Sequence, residues 1–493
     1  MIAGLGAIAS GFLPLEEWIY FGEWVSPLDT LLEKTVILFR WLRIVLSVLG
    51  AAGLVWLYIP TGWRTFVSQK INAFLLSQKA LPAILALNFA LNVGWIVFYA
   101  NTLYADSIWY FERGAWLADG QGYVYDAATQ NLTAAFPVGY PFFLSLLFRL
   151  TGPHLLVAKL ANVMLATGSV YLTYRLVAKL FDQRTASLAA LLFGTLPGLI
   201  VYGSLVSSDL LFLFLTLWIC FETVQETKAW WRILLAGLVN GVAGLARSIG
   251  LLLPPFWIGI RGLLGREADP TGSTDIWKQP RALWKWGGLF AAGMLLVILP
   301  WTMRNYLVFG KIIPVSNNGG LNFWMGNNPR AYGGFVSPFF ENSPFIPLIG
   351  DEVALDEKAY ALGWQFVRSQ PVKVLRLLPA KAFYLLNSND AGLEWNRSSG
   401  LVNPQAGSGP RAFAFVNLIY LLEMGAAGLG LVMLALRRER RWGAWVGALF
   451  SAYWIALHLP FFGKDRFALP ILPFLLAYAA VGLLAILDYR GKE

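Results

Sequence analysis

Charge is what this sequence has least of. Asp, Glu, Lys and Arg make up only 13% of its 493 residues, against 57% hydrophobic. A soluble globular chain carries about 25% charged residues, so an ordinary water-soluble enzyme of several domains is excluded. Cysteine is nearly absent: Cys220 stands alone, which excludes a disulfide scaffold. The only histidines, His154 and His458, are far apart, and no His, Cys and acid cluster has metal-ligand spacing. There is no phosphate-binding glycine loop ending in Lys-Ser/Thr and no dinucleotide fingerprint. Repeats of fixed period and low-complexity tracts are missing. The lack of an inverted repeat disfavours many secondary transporters. Abundant instead are apolar runs longer than a core helix needs, which excludes disorder. The net charge of +10 is no nucleic-acid signal, because the basic residues sit mostly in short loops between these runs. The chain reads as an all-α polytopic membrane protein.

A bilayer core of about 30 Å asks for about 20 apolar residues per helix. Spans are expected at 36–59, 82–104, 155–180, 186–203, 209–224, 232–246, 249–262, 284–301, 411–436, 443–461 and 467–488, about 11 in all. The stretch 232–262 reads equally as one long helix or as two halves broken at Arg247-Ser248-Ile249-Gly250. Loops carrying Arg64/Lys70/Lys79, Lys179/Arg184, Lys228/Arg232, Arg261 to Lys285 and Arg437 to Arg441 face the cytoplasm by the positive-inside rule. The alternating set, with Asp106–Asp126, Ser207-Ser208-Asp209, 302–410 and Gly463 to Arg466, then faces outward. Any chemistry is expected there, on the outer side of the plasma or inner membrane.

Four regions follow. Residues 1–80 comprise an acidic interfacial segment, an additional span and a basic cytoplasmic loop. Residues 81–301 form the transmembrane core with a first outward loop at 105–153. Residues 302–410 are long enough for a small outward α-rich subdomain, with helices near 351–370 and 371–388. Residues 411–493 supply the last helices. The apolar helix at 142–151 is too short to cross before Thr151-Gly152-Pro153.

Few polar residues are placed where chemistry needs them. Asp106 directly follows an apolar span; a half-desolvated carboxylate there suits a general base, and a helix cap explains it equally. Asp209 opens an apolar span and has the same two readings. Arg247 lies inside an apolar stretch, where an arginine pairs or lines a polar cavity, and its planar fork suits phosphate. Arg149, Arg304, Lys381 and Arg466 sit at outward ends of apolar segments and either join it or snorkel to the interface. Arg40 and Arg43, in the first span, are given no role. The Asn/Gly-rich stretch with Asn318, Asn322 and Asn327 offers amides for sugar hydroxyls, or is simply a turn-rich loop.

The order of these motifs is familiar. Asp106-Ser107-x2-Tyr110-x4-Ala115-x-Leu117-x2-Gly120-x-Gly122-Tyr123, followed by Thr133-Ala134-x2-Pro137-Val138-Gly139-Tyr140-Pro141, resembles the first outward loop of the membrane-embedded GT-C glycosyltransferases. The bacterial branch related to protein O-mannosyltransferases and the aminoarabinose–lipid A transferase is the nearest in pattern. Ser204-Leu205-x2-Ser208-Asp209, Gly244-Leu245-Ala246-Arg247-x2-Gly250, Pro300-Trp301-x2-Arg304-Asn305-Tyr306, Asn318-Gly319-Gly320-x-Asn322 with Gly326-Asn327-Asn328-Pro329, and Asp465-Arg466-Phe467-x-Leu469-Pro470 follow in family order, so that the resemblance covers about 100–475.

The resemblance implies a GT-C-type helical bundle that moves a sugar from a polyprenyl-phosphate donor to a hydroxyl on a glycan, lipid or protein acceptor at the outer face, with inversion. It makes Asp106 the base. It assigns Arg247, Arg466, Lys381 and Arg304 to the donor phosphate and Asp209, Tyr140, Asn318, Asn322, Asn327 and His458 to substrate. Ser107 stands where the family often has a second acid, and Ala135-Phe136 where some relatives carry a loop lysine. The first departure favours a metal-independent reaction. No cofactor is required, and room is left for a divalent cation on Asp106 and Asp209. The partners implied are the donor, the acceptor and membrane lipids, with no nucleic acid. Two other readings stay open: a transporter or flippase of a lipid-linked sugar or anion, and a polymerase or ligase of lipid-linked glycans.

Overall fold

The computed structural model describes residues 58–225, 229–267, 280–399 and 410–488. The expected first span at 36–59, the N-terminal segment before it, and Arg40 and Arg43 fall outside the described residues, apart from the last two positions of that span. Among the described residues helices dominate and there is no strand; an isolated bridge pairs Val124 with Leu132. It is an all-α, multi-pass membrane protein.

The first elements are α1 (Thr61–Leu75), α2 (Ala80–Phe98), α3 (Asp106–Ala118), α4 (Gly139–Thr151) and α5 (Leu155–Leu180). α2 has the reverse of a soluble helix's pattern. Its buried stripe, Ala80, Ile84, Asn88 and Asn92, repeats every four residues and carries the polar side chains; Leu87, Phe89 and Leu91 are exposed. Asn88 donates to the Gly194 carbonyl at 2.8 Å. With lipid outside, apolar residues face outward and the polar groups must pair inside.

α6 (Gln183–Thr195) and α7 (Pro197–Tyr202) occupy the expected span 186–203. It is broken at Leu196, because Pro197 donates no hydrogen bond and holds the residue before it extended. α8 (Asp209–Thr223) follows. α9 (Trp230–Ala246) and α10 (Pro254–Glu267) decide the ambiguous stretch in favour of two halves, joined by a 3₁₀ turn at Ser248–Leu252. α11 (Pro280–Phe309) runs further than expected and packs closely on α9. A methyl group at Gly237 would overlap the Phe290 carbonyl, so only glycine lets these backbones meet.

The outward segment contains α12 (Gly319–Gly326), α13 (Glu352–Ser369), α14 (Pro371–Leu386) and α15 (Ala391–Ser399). The two expected helices are α13 and α14; α12 and α15 are additional. The chain closes with α16 (Pro410–Leu436), α17 (Trp442–His458), a 3₁₀ turn at Asp465–Ile471 and α18 (Leu472–Leu487). Among the described residues, five helical segments are long and apolar enough to cross a membrane: 80–98, 155–180, 283–309, 411–436 and 465–487. The other expected spans that lie within the described residues are shorter helices.

Candidate functional site

Each charged residue of the site sits where a helix begins or breaks. Asp106 is the first residue of α3. Ala105 before it takes φ +48°, a left-handed conformation that a residue with a Cβ adopts at a cost of about 1–3 kcal/mol. Asp209 is the first residue of α8, after Ser207-Ser208. Arg247 is the extended residue where α9 stops, and Arg466 lies in the 3₁₀ turn ahead of α18. A helix end leaves backbone polar groups free and lets the chain turn, so charge gathers there inside an otherwise apolar bundle.

The fold brings these four together. Asp106 Oδ2 lies 3.4 Å from both terminal nitrogens of Arg466. Arg247 pairs with Asp209, whose side chain is only 2% exposed. One ring serves both arginines: Phe467 lies 5.3 Å from the Arg247 guanidinium and 5.5 Å from that of Arg466. Trp395 of α15 covers Arg466 at 4.7 Å. The Nε of Arg466 is buried without a hydrogen-bond partner, which leaves donor capacity for an anion. The result is two carboxylates facing two guanidinium groups on an aromatic floor.

Tyrosines extend the site. The Tyr110 hydroxyl lies 3.4 Å from Ser208 Oγ, its ring meets Tyr140 edge-on at 5.4 Å, and Tyr140 donates to Asn162 at 3.0 Å. Burial, with the negative charge of Asp106 nearby, pushes the Tyr110 hydroxyl up to about 12, so it stays protonated as a donor. His458 packs on Phe467 at 5.4 Å, and its Nδ1 is 2.9 Å from the Trp454 carbonyl. Asn318 accepts from Ser316, whose hydroxyl is 3.0 Å from that of Ser248, the neighbour of Arg247. The Asn322 side chain turns back to the Asn318 carbonyl at 2.8 Å.

The remaining expected residues are engaged in holding segments together. Lys381 is buried and donates to Asn327 Oδ1 at 3.1 Å and to the Leu459 carbonyl at 3.0 Å. Burial among neutral partners lowers its ammonium to about 8. Asn327 in turn donates to the Pro460 carbonyl at 2.6 Å. Arg304 donates to the carbonyls of Thr133 and Tyr123 at 2.8 and 3.1 Å, gripping the first outward loop. Arg149 reaches the Leu117 carbonyl at 3.3 Å and ties α4 to α3.

Among the described residues no three His, Cys, Asp or Glu side chains converge, and Asp106 and Asp209 each face a guanidinium instead of a further donor. Sequence reasoning missed Trp395, in a short helix without apolar period, and Glu352. Glu352 accepts hydrogen bonds from Thr133, Ala134 and Asn317. In the sequence it reads as an ordinary first-turn acid of a helix.

Residues 136–303 match the model of the dolichyl-phosphate-mannose-protein mannosyltransferase family. Tyr140, Asp209 and Arg247 lie within the matched segment, and the resemblance read from the sequence rests on the same kind of enzyme. Among solved structures, the oligosaccharyltransferase of Archaeoglobus fulgidus in its apo form is similar at 15% identity and a TM-score of 0.46, over 83% of this chain and 51% of that one. This chain thus spans about half the length of that protein. ArnT from Cupriavidus metallidurans, bound to undecaprenyl phosphate, is similar at 13% identity and a TM-score of 0.42, over 83% of this chain and 78% of that one. No curated protein matches this chain significantly in sequence.

Proposed function

We propose that this chain is an inverting membrane glycosyltransferase that moves a sugar, a hexose or pentose, from polyprenyl phosphate to an acceptor hydroxyl at the outer face of the inner membrane. The observation that carries this reading is the pair of ion pairs, Asp106–Arg466 and Asp209–Arg247, sharing the Phe467 ring. The dolichyl-phosphate-mannose family match over 136–303 supports the donor class.

The chemistry follows from what each group can release. Asp209 is buried and tightly paired, so it fixes Arg247 and keeps its charge aimed at the site. Asp106 is held only at 3.4 Å, and its side chain is 29% exposed. A donor phosphate reaching Arg466 competes with Asp106 for the same guanidinium and frees the carboxylate. Asp106 then accepts the proton of the acceptor hydroxyl while that oxygen bonds to the anomeric carbon. The bond from that carbon to the phosphate oxygen breaks on the opposite face, which inverts the configuration. The electron pair leaves on polyprenyl phosphate, where Arg466 and Arg247 stabilise the added charge. Tyr140, against Tyr110, and His458, against Phe467, are candidates for substrate contact, as are Asn318 and Asn322, while Lys381, Arg304 and Asn327 brace neighbouring segments.

The test is direct. Purified protein is given polyprenyl-phosphate hexoses and pentoses with a membrane lipid extract, and products are followed by mass spectrometry and nuclear magnetic resonance. The reading expects free polyprenyl phosphate and a product linkage of inverted configuration. Retained configuration contradicts the single displacement, and no carrier release from any donor contradicts the donor class.

A further inference from the structure

We infer that Glu352 is a positioning residue that locks the first outward loop onto the turn carrying Arg247, and so sets where Asp106 stands. The inference rests on the proposed transfer reaction for its catalytic consequence, and on the structure alone for the lock. The amide at the start of α13 is already capped by Asp351, whose side chain accepts from Ala354 N at 2.9 Å. Glu352 is thereby free to reach across the molecule. It accepts from Thr133 Oγ1 at 2.5 Å, from Ala134 N at 2.7 Å and from Asn317 Nδ2 at 3.2 Å. Bonds of this kind to a carboxylate are about twice as strong as neutral ones.

The same short stretch is gripped from its other side. Arg304 donates to the Thr133 carbonyl, and Asn317 N donates to the Ala134 carbonyl at 2.7 Å. Thr133 and Ala134 are both fully buried. Three parts of the chain therefore meet at one carboxylate: the loop at 133–134, the stretch at 316–318, and α13. Both outer parts continue to Arg247. Ser316 contacts Ser248, and the loop runs on to Gly139, where a methyl group would overlap the Leu245 and Ala246 backbone. Upstream, the loop carries α3 with Asp106, packed through Trp109 on Phe136 at 5.1 Å. Releasing the loop at Glu352, which contacts neither ion pair itself, thus shifts Asp106 relative to Arg466.

Glu352→Ala removes the lock, Thr133→Val weakens it by one bond, and Thr133→Ser keeps it. Hydrogen exchange measures the amides at 123–134, titration measures undecaprenyl phosphate binding, and the transfer assay gives kcat. In Glu352→Ala we expect faster exchange at 123–134, carrier affinity within about twofold of wild type, and kcat lower by about tenfold to a hundredfold, as a displaced catalytic group requires. Thr133→Val, which removes one of the three bonds to Glu352 together with the bond from Ala135 N to the hydroxyl, shifts exchange and kcat in the same direction by less, while Thr133→Ser behaves as wild type. Unchanged exchange in Glu352→Ala overturns the lock. Faster exchange with kcat unchanged, or carrier affinity lost in proportion to kcat, overturns the positioning role. The exchange measurement needs no turnover, so a wild type silent toward every donor contradicts the transferase reading while the lock is still judged.

Discussion

At the residue scale, the site is a balance of charges that an apolar bundle tolerates only in pairs. Arg247 is the direct partner of the buried Asp209, with the charge of Arg466 nearby. Arg247→Met removes that direct partner and is expected to destabilise the protein by up to about 3 kcal/mol, since Arg466 still faces the carboxylate, whereas Arg247→Met with Asp209→Leu recovers most of the loss. Thermal unfolding in detergent measures both. The four charged positions were visible in the sequence for a physical reason: each interrupts an apolar run, where charge is too costly to be incidental. Their pairing was not visible. Asp106 and Arg466 are 360 positions apart, and nothing local tells which arginine meets which acid. Lys381 shows how little the sequence says about a residue's partners. A lysine ending an apolar stretch reads as a phosphate ligand, and here its partners are the Asn327 side chain and the Leu459 carbonyl.

At the scale of elements, buried polar groups act as pins between helices. Lys381 joins α14 to the end of α17, and its lowered proton affinity gives that pin a pH signature. Its ammonium falls to about 8 from an ordinary value of 10.5. Between those values the unfolded chain holds a proton that the folded chain has released, so stability rises with pH across the interval and is flat below it. Lys381→Met is expected to lack this slope when unfolding is followed over the same range. Close approach is the second device. Gly139 starts α4 against the Leu245 and Ala246 backbone, and Gly139→Ala is expected to cost about 1–3 kcal/mol and to lower transfer by shifting the loop from Arg247. Helix existence was legible in the apolar runs, while the breaks were less so. Pro197 is an explicit stop inside an expected span, but α15 has too few apolar residues for any periodic signal, and its Trp395 went unrecognised.

At the scale of the whole molecule, the charge asymmetry and the tryptophans agree. Trp63, Trp230, Trp284 and Trp442 are exposed at the starts of α1, α9, α11 and α17, each next in sequence to basic residues, a pattern that suits interfacial anchoring. The orientation that puts Asp106 outside is tested by labelling. In a Cys220→Ser background, Ala128→Cys is expected to react with an impermeant thiol reagent in intact cells and Arg437→Cys only after lysis; the reverse pattern contradicts the outward site.

In the mechanism we propose, Asp106 is a base masked by Arg466 until the donor phosphate takes the arginine over. The most direct measurement compares wild type with Asp106→Asn in two assays on the same preparation: sugar transfer from polyprenyl phosphate, and binding of polyprenyl phosphate alone. The account predicts that transfer falls by about 10²–10⁴-fold in the variant, while the carrier binds as tightly as before or more tightly, since its competitor for Arg466 has lost its charge. A variant that transfers like wild type, or one that loses carrier binding together with transfer, contradicts the account.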